Sequence, residues 1–464
     1  MKKQMTYTAI LLAAIMLTGC GESNMSTMFA SDTAENGMKE EAPAAAVAEA
    51  DDHADAEYAE EAPAEAPAEA GEAAEAAASK TKKDRRTAEA DMPDDLTLDA
   101  VLDGDYVTGG DVIGEPEPEP DPDFDNGAEP FVLTAGEWND NENWGFFANL
   151  IHNGTIEFPS YGLNPVNRVA VTLTNGGAPV ANQIVGLISG DSTCWTAKTD
   201  KNGRAYLFYD NSMADHELSL ITDQAKEFTF TAPALASGQG GADVPTLEFE
   251  LETENESTGY DLTQVSFILD TTGSMGDEIS YLQKDFSAIA EEVAAEGVTF
   301  SVNFYKDEGD EYVTSCNPFT DDVLNVQKIL NREYASGGGD TPEAVAQILD
   351  EVLTKGDWQE DANKIAFLIF DAPPHYGSKE EEMILNAVNA AAYKGIHVVP
   401  VVASNAERET ELFGRALSIM TNSNYVFLTD DSGVGGSHLE PIIGSYEVEL
   451  LHDIIVRNIN EIAG

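Results

Sequence analysis

Basic residues and cysteines are what this chain has least of. Of its 464 residues only 24 are Lys or Arg against 85 Asp or Glu, a formal net charge of −61. So few cations cannot assemble a face that neutralises a phosphate backbone, which excludes nucleic acid as a partner. The excess acid is read as solubility and self-repulsion rather than a specific activity, and the short cluster KTKKDRR as a solvated charge run. Three cysteines are too few for a disulfide framework. Cys194 and Cys316 fall in what read as different domains and are expected to be two separate thiols. Long apolar runs are also missing: beyond the first twenty residues no segment is apolar enough to cross a bilayer. From residue 21 to about 130 even the large aliphatic and aromatic side chains nearly vanish. Ala, Glu, Asp and Pro replace them, as in EEAPAEAPAEAGEAAEAAA, so no core can offset chain entropy there and the stretch reads as a disordered tether. Within it DPDFDNG spaces Asp121, Asp123 and Asp125 like the start of a calcium loop, but Asn126 occupies the turn position, and the segment is read as acidic linker.

The first twenty residues carry an address. Lys2 and Lys3 precede the apolar run AILLAAIML, which closes on LTGC. Positive end, apolar run, small residue and cysteine in that order resemble the bacterial lipoprotein signal. The resemblance implies that Cys20 becomes a lipidated N-terminus on the cell envelope, with Gly21 favouring the outer membrane. A flexible coil of about 110 residues would then hold the folded part roughly 60 Å from the bilayer.

Residues 131–256 gain aromatics and alternation. LTAGEWNDNENWGFFANLI brings Trp138, Trp144, Phe146 and Phe147, enough apolar area to dock on a neighbouring domain. RVAVTLTN, QIVGLIS, CWTAKTD, RAYLFY and EFTFTAP read as short strands split by turn residues. NGGAPVANQIVGLI and TAKTDKNGRAYLF resemble the carboxypeptidase-regulatory-like or bacterial Ig-like β-sandwich, a spacing or binding module. Trp195 is expected in its core, and Asp200 with Asn202 in a turn.

Residues 257–464 alternate differently. QVSFILD, TFSVNFYKD, KIAFLIFD, GIHVVPVVA and NYVFLTD are continuous apolar runs suited to a buried parallel sheet. Helical stretches lie around 276–295, 321–333, 342–355, 379–394, 407–421 and 446–462, and EYVTSCNPF suggests an edge strand. The fold expected is a doubly wound α/β domain, whose ligands bind beyond the carboxyl ends of the strands. Asp270, Asp307 and Asp371 each end a strand on that edge. Asp270, Thr272 and Ser274 form D-x-T-x-S, and GGGDTPEAV adds Asp340 and Thr341 at a helix start. Hard oxygen donors that include neutral hydroxyls suit Mg²⁺, with Mn²⁺ or Ca²⁺ as substitutes, rather than covalent catalysis.

FILDTTGSMGDEI, GGGDTPEAV and FLIFDAPPH together resemble a von Willebrand factor A domain with its metal-ion-dependent adhesion site. The resemblance implies metal ligation by Asp270, Thr272 (where the family has Ser), Ser274, Thr341 ahead of Asp340, and Asp371. It also implies a protein partner that offers an acidic side chain to the metal. Asp307 and Asp310 are expected to back the ligands or shape their loop, His375 to bond within its loop, and His397 to lie in the core. No enzyme is expected. A serine hydrolase using Ser274 with Asp371 and His375 is the rival from another class, disfavoured because Asp and His share one short loop. A scaffold subunit working with an ATPase partner is the third reading.

Overall fold

The computed structural model describes residues 132–463 apart from 159–160, 225–227, 234–246, 294–296, 340 and 433–436. The signal, Cys20, the tether and Asp340 therefore lie outside the described residues. The chain opens with β1 (Thr134–Trp138) and helix α1 (Trp144–His152). Eight strands follow: β2 (Arg168–Asn175), β3 (Ala178–Pro179), β4 (Ile184–Ser189), β5 (Ser192–Lys198), β6 (Arg204–Phe208), β7 (Glu217–Thr222), β8 (Phe228–Thr231) and β9 (Leu247–Glu252). They form two four-stranded sheets, β3-β2-β6 with β9 beside β2, and β5-β4-β7-β8. Val169, Val171 and Leu207 of one sheet share a core with Val185, Leu187, Trp195 and Leu220 of the other, the alternation a half-buried strand dictates.

The remainder is β10 (Thr263–Asp270), α2 (Gly276–Glu292), β11 (Val298–Tyr305), β12 (Thr314–Ser315), α3 (Val323–Leu330), α4 (Val345–Leu349, running on as a π turn over Asp350–Thr354), β13 (Asn363–Phe370), α5 (Ser378–Lys394), β14 (Ile396–Val402), α6 (Arg408–Met420), β15 (Tyr425–Leu428), β16 (Glu449–Leu450) and α7 (Leu451–Ala463). The sheet order is β12-β11-β10-β13-β14-β15-β1-β16. Strands β11, β10, β13, β14 and β15 run parallel. Successive residues of β10 point into opposite faces. Val265, Phe267 and Leu269 pack with Phe286 of α2 and Ile455 of α7, whereas Ile268 joins Val345, Ala391 and Phe413 from α4, α5 and α6. This second face is continuous with the core of the two smaller sheets. A strand covered on both faces needs a mostly apolar run, which β13 carries as IAFLIF and β10 as VSFIL, its buried Ser266 accepting a hydrogen bond from Asn303 at 3.0 Å.

Three local expectations change. β1, from the aromatic-rich stretch, pairs antiparallel with β15 and β16 and so runs in the C-terminal sheet. The final helix begins at Leu451 because the residues before it supply β16. EYVTSCNPF yields only the two residues of β12 as an edge strand, with Thr320 bridging Phe300 beyond it. Cys194 and Cys316 are both free.

Candidate functional site at the strand crossover

Strand order reverses at β10: the next strand in sequence, β11, lies on one side of it and β13 on the other. The crevice at the carboxyl ends of β10 and β13 is where a doubly wound sheet leaves room for a ligand. Asp270 closes β10 there, wholly buried. Its Oδ1 accepts hydrogen bonds from the Thr272 amide at 2.8 Å and the Thr272 hydroxyl at 2.7 Å. Its Oδ2 is buried without a well-formed hydrogen bond, close to the equally buried Tyr305 hydroxyl. The Thr272 hydroxyl is 3.4 Å from that of Ser274. Thr272 is buried while Ser274, on the 3₁₀ turn Gly273–Met275 that opens α2, is exposed.

A second loop folds onto the first through its backbone. The Ser336 amide donates to the Thr271 carbonyl at 3.0 Å and the Gly273 amide to the Gly337 carbonyl at 3.2 Å. Lys306, 1% exposed, pins both: its ammonium donates to Thr271 O and Ser336 O at 2.7 Å each and to Ser336 Oγ at 3.0 Å. Asp310 Oδ2 accepts from the amides of Gly338 at 2.8 Å and Asp307 at 3.1 Å. Gly337, with φ +81°, must be glycine, since a Cβ there would strike the Asp310 carboxylate. The same loop continues through exposed Thr341 to Glu343, whose amide donates to Pro373 O of the third loop at 3.0 Å. That third loop follows β13 with Asp371, buried, and then His375, whose Nε2 lies 2.6 Å from Asp307 Oδ1. The fold thus joins the Asp270–Ser274, Ser336–Glu343 and Asp371–His375 loops at one edge.

The crevice is electrostatically strained. Burial, and then the charge of Asp371, push the Asp270 carboxyl up to about 7. Burial also raises Asp371, partly offset by a hydrogen bond from Ser274. Glu343 is pushed up to about 9 by burial and by the charges of Asp270, Asp307, Asp371 and Asp310. It is 5% exposed, with Oε2 unpartnered. Glu278 on α2 is buried too: Oε1 accepts from the Ser404 hydroxyl at 2.7 Å while Oε2 has no partner. Buried carboxylate oxygens without donors are the condition a bound cation relieves. Among the described residues no three His, Cys, Asp or Glu side chains converge as a ready-made metal cage. The donors that do meet are carboxylates mixed with hydroxyls, a set that suits a hard cation retaining water.

Sequence reasoning did not find Glu343, Glu278 or Lys306. Glu343 and Glu278 sit at helix starts, where an acid ordinarily faces solvent and complements the helix dipole, and Lys306 follows a strand. Only the crossing of the loops buries them.

A doubly wound α/β domain with an acid-lined crevice at its strand crossover is the class that fold and site define. Residues 264–439 match the von Willebrand factor A domain family, and this region of the chain is a domain of that type. A putative ariadne-like RING finger protein of Acanthamoeba polyphaga mimivirus is 25% identical over 185 residues, 36% of this chain. The match spans only 18% of that relative's length. Among solved structures, the conserved hypothetical protein BatB from Bacteroides thetaiotaomicron aligns at TM-score 0.24 and 14% identity, covering 43% of this chain and 86% of BatB. An aerotolerance-related membrane protein from Bacteroides fragilis aligns at 0.28 and 16%, covering 43% and 99%.

Proposed function

We propose that the chain is a lipid-anchored binding protein of the bacterial envelope that grips a protein partner through a divalent cation, Mg²⁺ by preference, held at the β10/β13 crevice. The observation that carries this reading is Asp270 Oδ2, buried beside two hydroxyl-bearing residues and without a well-formed hydrogen bond even from the neighbouring Tyr305 hydroxyl. Asp270 and Asp371 would supply the charge that holds the cation, and Thr272, Ser274 and Thr341 neutral oxygens. Glu343 would face the same ion, directly or through water. When bound, the cation would supply a Lewis-acidic position that accepts one more oxygen anion, which a partner's Asp or Glu side chain can fill. Lys306, Asp310 and the Asp307–His375 contact act on the loops, fixing where the ligands stand. The hydrolase alternative is weakened because Ser274 bonds to Asp371 and, among the described residues, makes no hydrogen bond to His375, the base that reading requires. Cys20 as lipid attachment point, residues 21–130 as tether and the two small sheets as an Ig-like or carboxypeptidase-regulatory-like spacer complete the reading.

Capture from native envelope should yield a partner in Mg²⁺ and none in EDTA. Moderate salt should speed association, because it screens the repulsion between this acidic chain and an acidic partner over about 8–10 Å. Capture that survives EDTA would place the partner elsewhere on the chain.

A pH dependence follows as well. An acid whose folded pKa lies above its unfolded value keeps a proton in the folded chain that the unfolded chain has released. Stability is therefore lost as pH rises through that interval. The interval runs from 3.8 to about 7 for Asp270 and from 4.5 to about 9 for Glu343. Without metal the protein should melt at lower temperature near pH 8.5 than near pH 5.5, after subtraction of the same difference in Asp270→Asn, with Mg²⁺ closing the gap. Equal pH slopes for wild type and Asp270→Asn would contradict this.

A further inference from the structure

We propose that the cavity between the start of α1 and the β2/β6/β9 sheet is a carboxylate-binding site built on Arg168. The cavity, ≈350 Å³, is lined among others by Trp144, Arg168, Arg204 and Tyr206, and by the acids Glu142 and Glu248. Arg168 is 4% exposed, yet among the described residues no carboxylate pairs with it. Its hydrogen bonds come from Nη1 alone, to Asn141 O at 3.3 Å and Asn141 Oδ1 at 2.9 Å. Nε and Nη2 bond to nothing among the described residues. The guanidinium carbon sits 3.6 Å from the centre of the Trp144 ring and 4.7 Å from that of Tyr206, so the aromatic rings fix the plane of the fork.

Glu248 acts on the guanidinium through space but forms no ion pair with it, so a charge that is costly to remove from water still lacks a directly bonded counter-ion. Burial pushes Arg168 down to about 10, a depression that an arriving anion would reverse. Two further features favour a negative guest. Trp144 and Gly145, the first turn of the nine-residue helix α1, line the same cavity, and amides at a helix start carry partial positive charge. The indole N–H of Trp144 is buried with no acceptor.

The chemistry selects among anions. Two arginines against two exposed glutamates leave the lining near neutral, which suits a singly charged group better than a phosphate dianion. The two free edges of a planar guanidinium match the paired oxygens of a carboxylate. The site is independent of the metal crevice, and either can fail without the other.

The chain has four tryptophans, so full-length protein labelled with ¹⁵N-tryptophan gives four indole signals, and Trp144→Phe assigns the one that matters. Titration with propionate, a monocarboxylate, at constant ionic strength should move the Trp144 signal saturably and leave the other three in place. A short peptide with a free terminal carboxylate should do the same if peptides are the natural source, and leave it unmoved if small acids are. Arg168→Lys keeps the charge but loses the fork and should weaken propionate about tenfold or more, the worth of a charge-assisted hydrogen bond. Arg204→Gln, on an exposed side chain, should weaken it by a smaller factor with the fold untouched. No saturable shift with propionate or peptide would overturn the site. Saturation by inorganic phosphate at lower concentration than by propionate would overturn the carboxylate assignment, and undiminished binding in both arginine variants would overturn the role of the fork.

Discussion

Asp270→Asn should abolish cation binding while leaving the metal-free protein as stable as wild type or more so. The amide keeps an oxygen to accept the Thr272 amide and hydroxyl, held at 2.8 and 2.7 Å, so the turn persists. What disappears is a buried charge set against Asp371 and facing Glu343. Wild type should gain about 2.7 kcal/mol from Mg²⁺ at a hundredfold excess over its dissociation constant, and the variant nothing. Thermal melts with Mg²⁺ and with EDTA read both halves of the expectation. A variant that gains as much from Mg²⁺ as wild type would remove Asp270 from the site.

The second large effect lies away from the crevice, where β1 leads toward α1. Arg415 on α6 and Asp140 are completely buried, joined by two parallel bonds of 2.8 Å each, from Nε to Oδ2 and from Nη2 to Oδ1. Trp138 Nε1 donates to the same carboxylate at 3.0 Å, and Arg415 also donates to Ile442 O at 2.9 Å and Glu411 Oε1 at 3.2 Å. Glu411 is equally buried, so without Asp140 the guanidinium loses its two shortest bonds and keeps one longer ion pair. Asp140→Ala should therefore cost about 3 kcal/mol in urea unfolding, the low end for a broken buried pair because Glu411 remains, and Arg415→Met should cost less in that background than alone, since the Asp140 bonds are already lost. A cost under about 1 kcal/mol for Asp140→Ala would mean that water reaches Arg415. The pair fixes an N-terminal segment to the α/β core across 275 residues of sequence.

That long reach explains what the sequence could not reveal. β10 and β13 were legible because strands buried on both faces are mostly apolar, and no other element writes that pattern so plainly. β1 was not: Thr134–Trp138 holds Ala135 and Gly136 rather than an apolar run, because the rings of Phe427 and Tyr446 fill the space a side chain at Gly136 would take. Its partner β15 lies nearly three hundred residues on, and no local periodicity records such pairing. The crevice divides in the same way. Asp270, Thr272, Ser274 and Asp371 stand out because they interrupt or follow buried strands. Glu343 and Glu278 sit among helical residues as any surface acid would, and their burial comes from loops that meet only in the folded chain. Arg168 opens β2 and looks like a solvent-facing strand end, until the Trp144 ring closes over it.

The central claim is that a divalent cation sits among Asp270, Ser274 and Asp371. The most direct measurement is anomalous diffraction from crystals of the protein soaked in Mn²⁺, with Asp270→Asn crystals treated alike. One strong peak is expected in the β10/β13 crevice, in contact with the Ser274 hydroxyl, and no peak there in the variant. A crevice without a peak in wild-type crystals soaked well above the solution dissociation constant, or a peak that persists in Asp270→Asn, would contradict it.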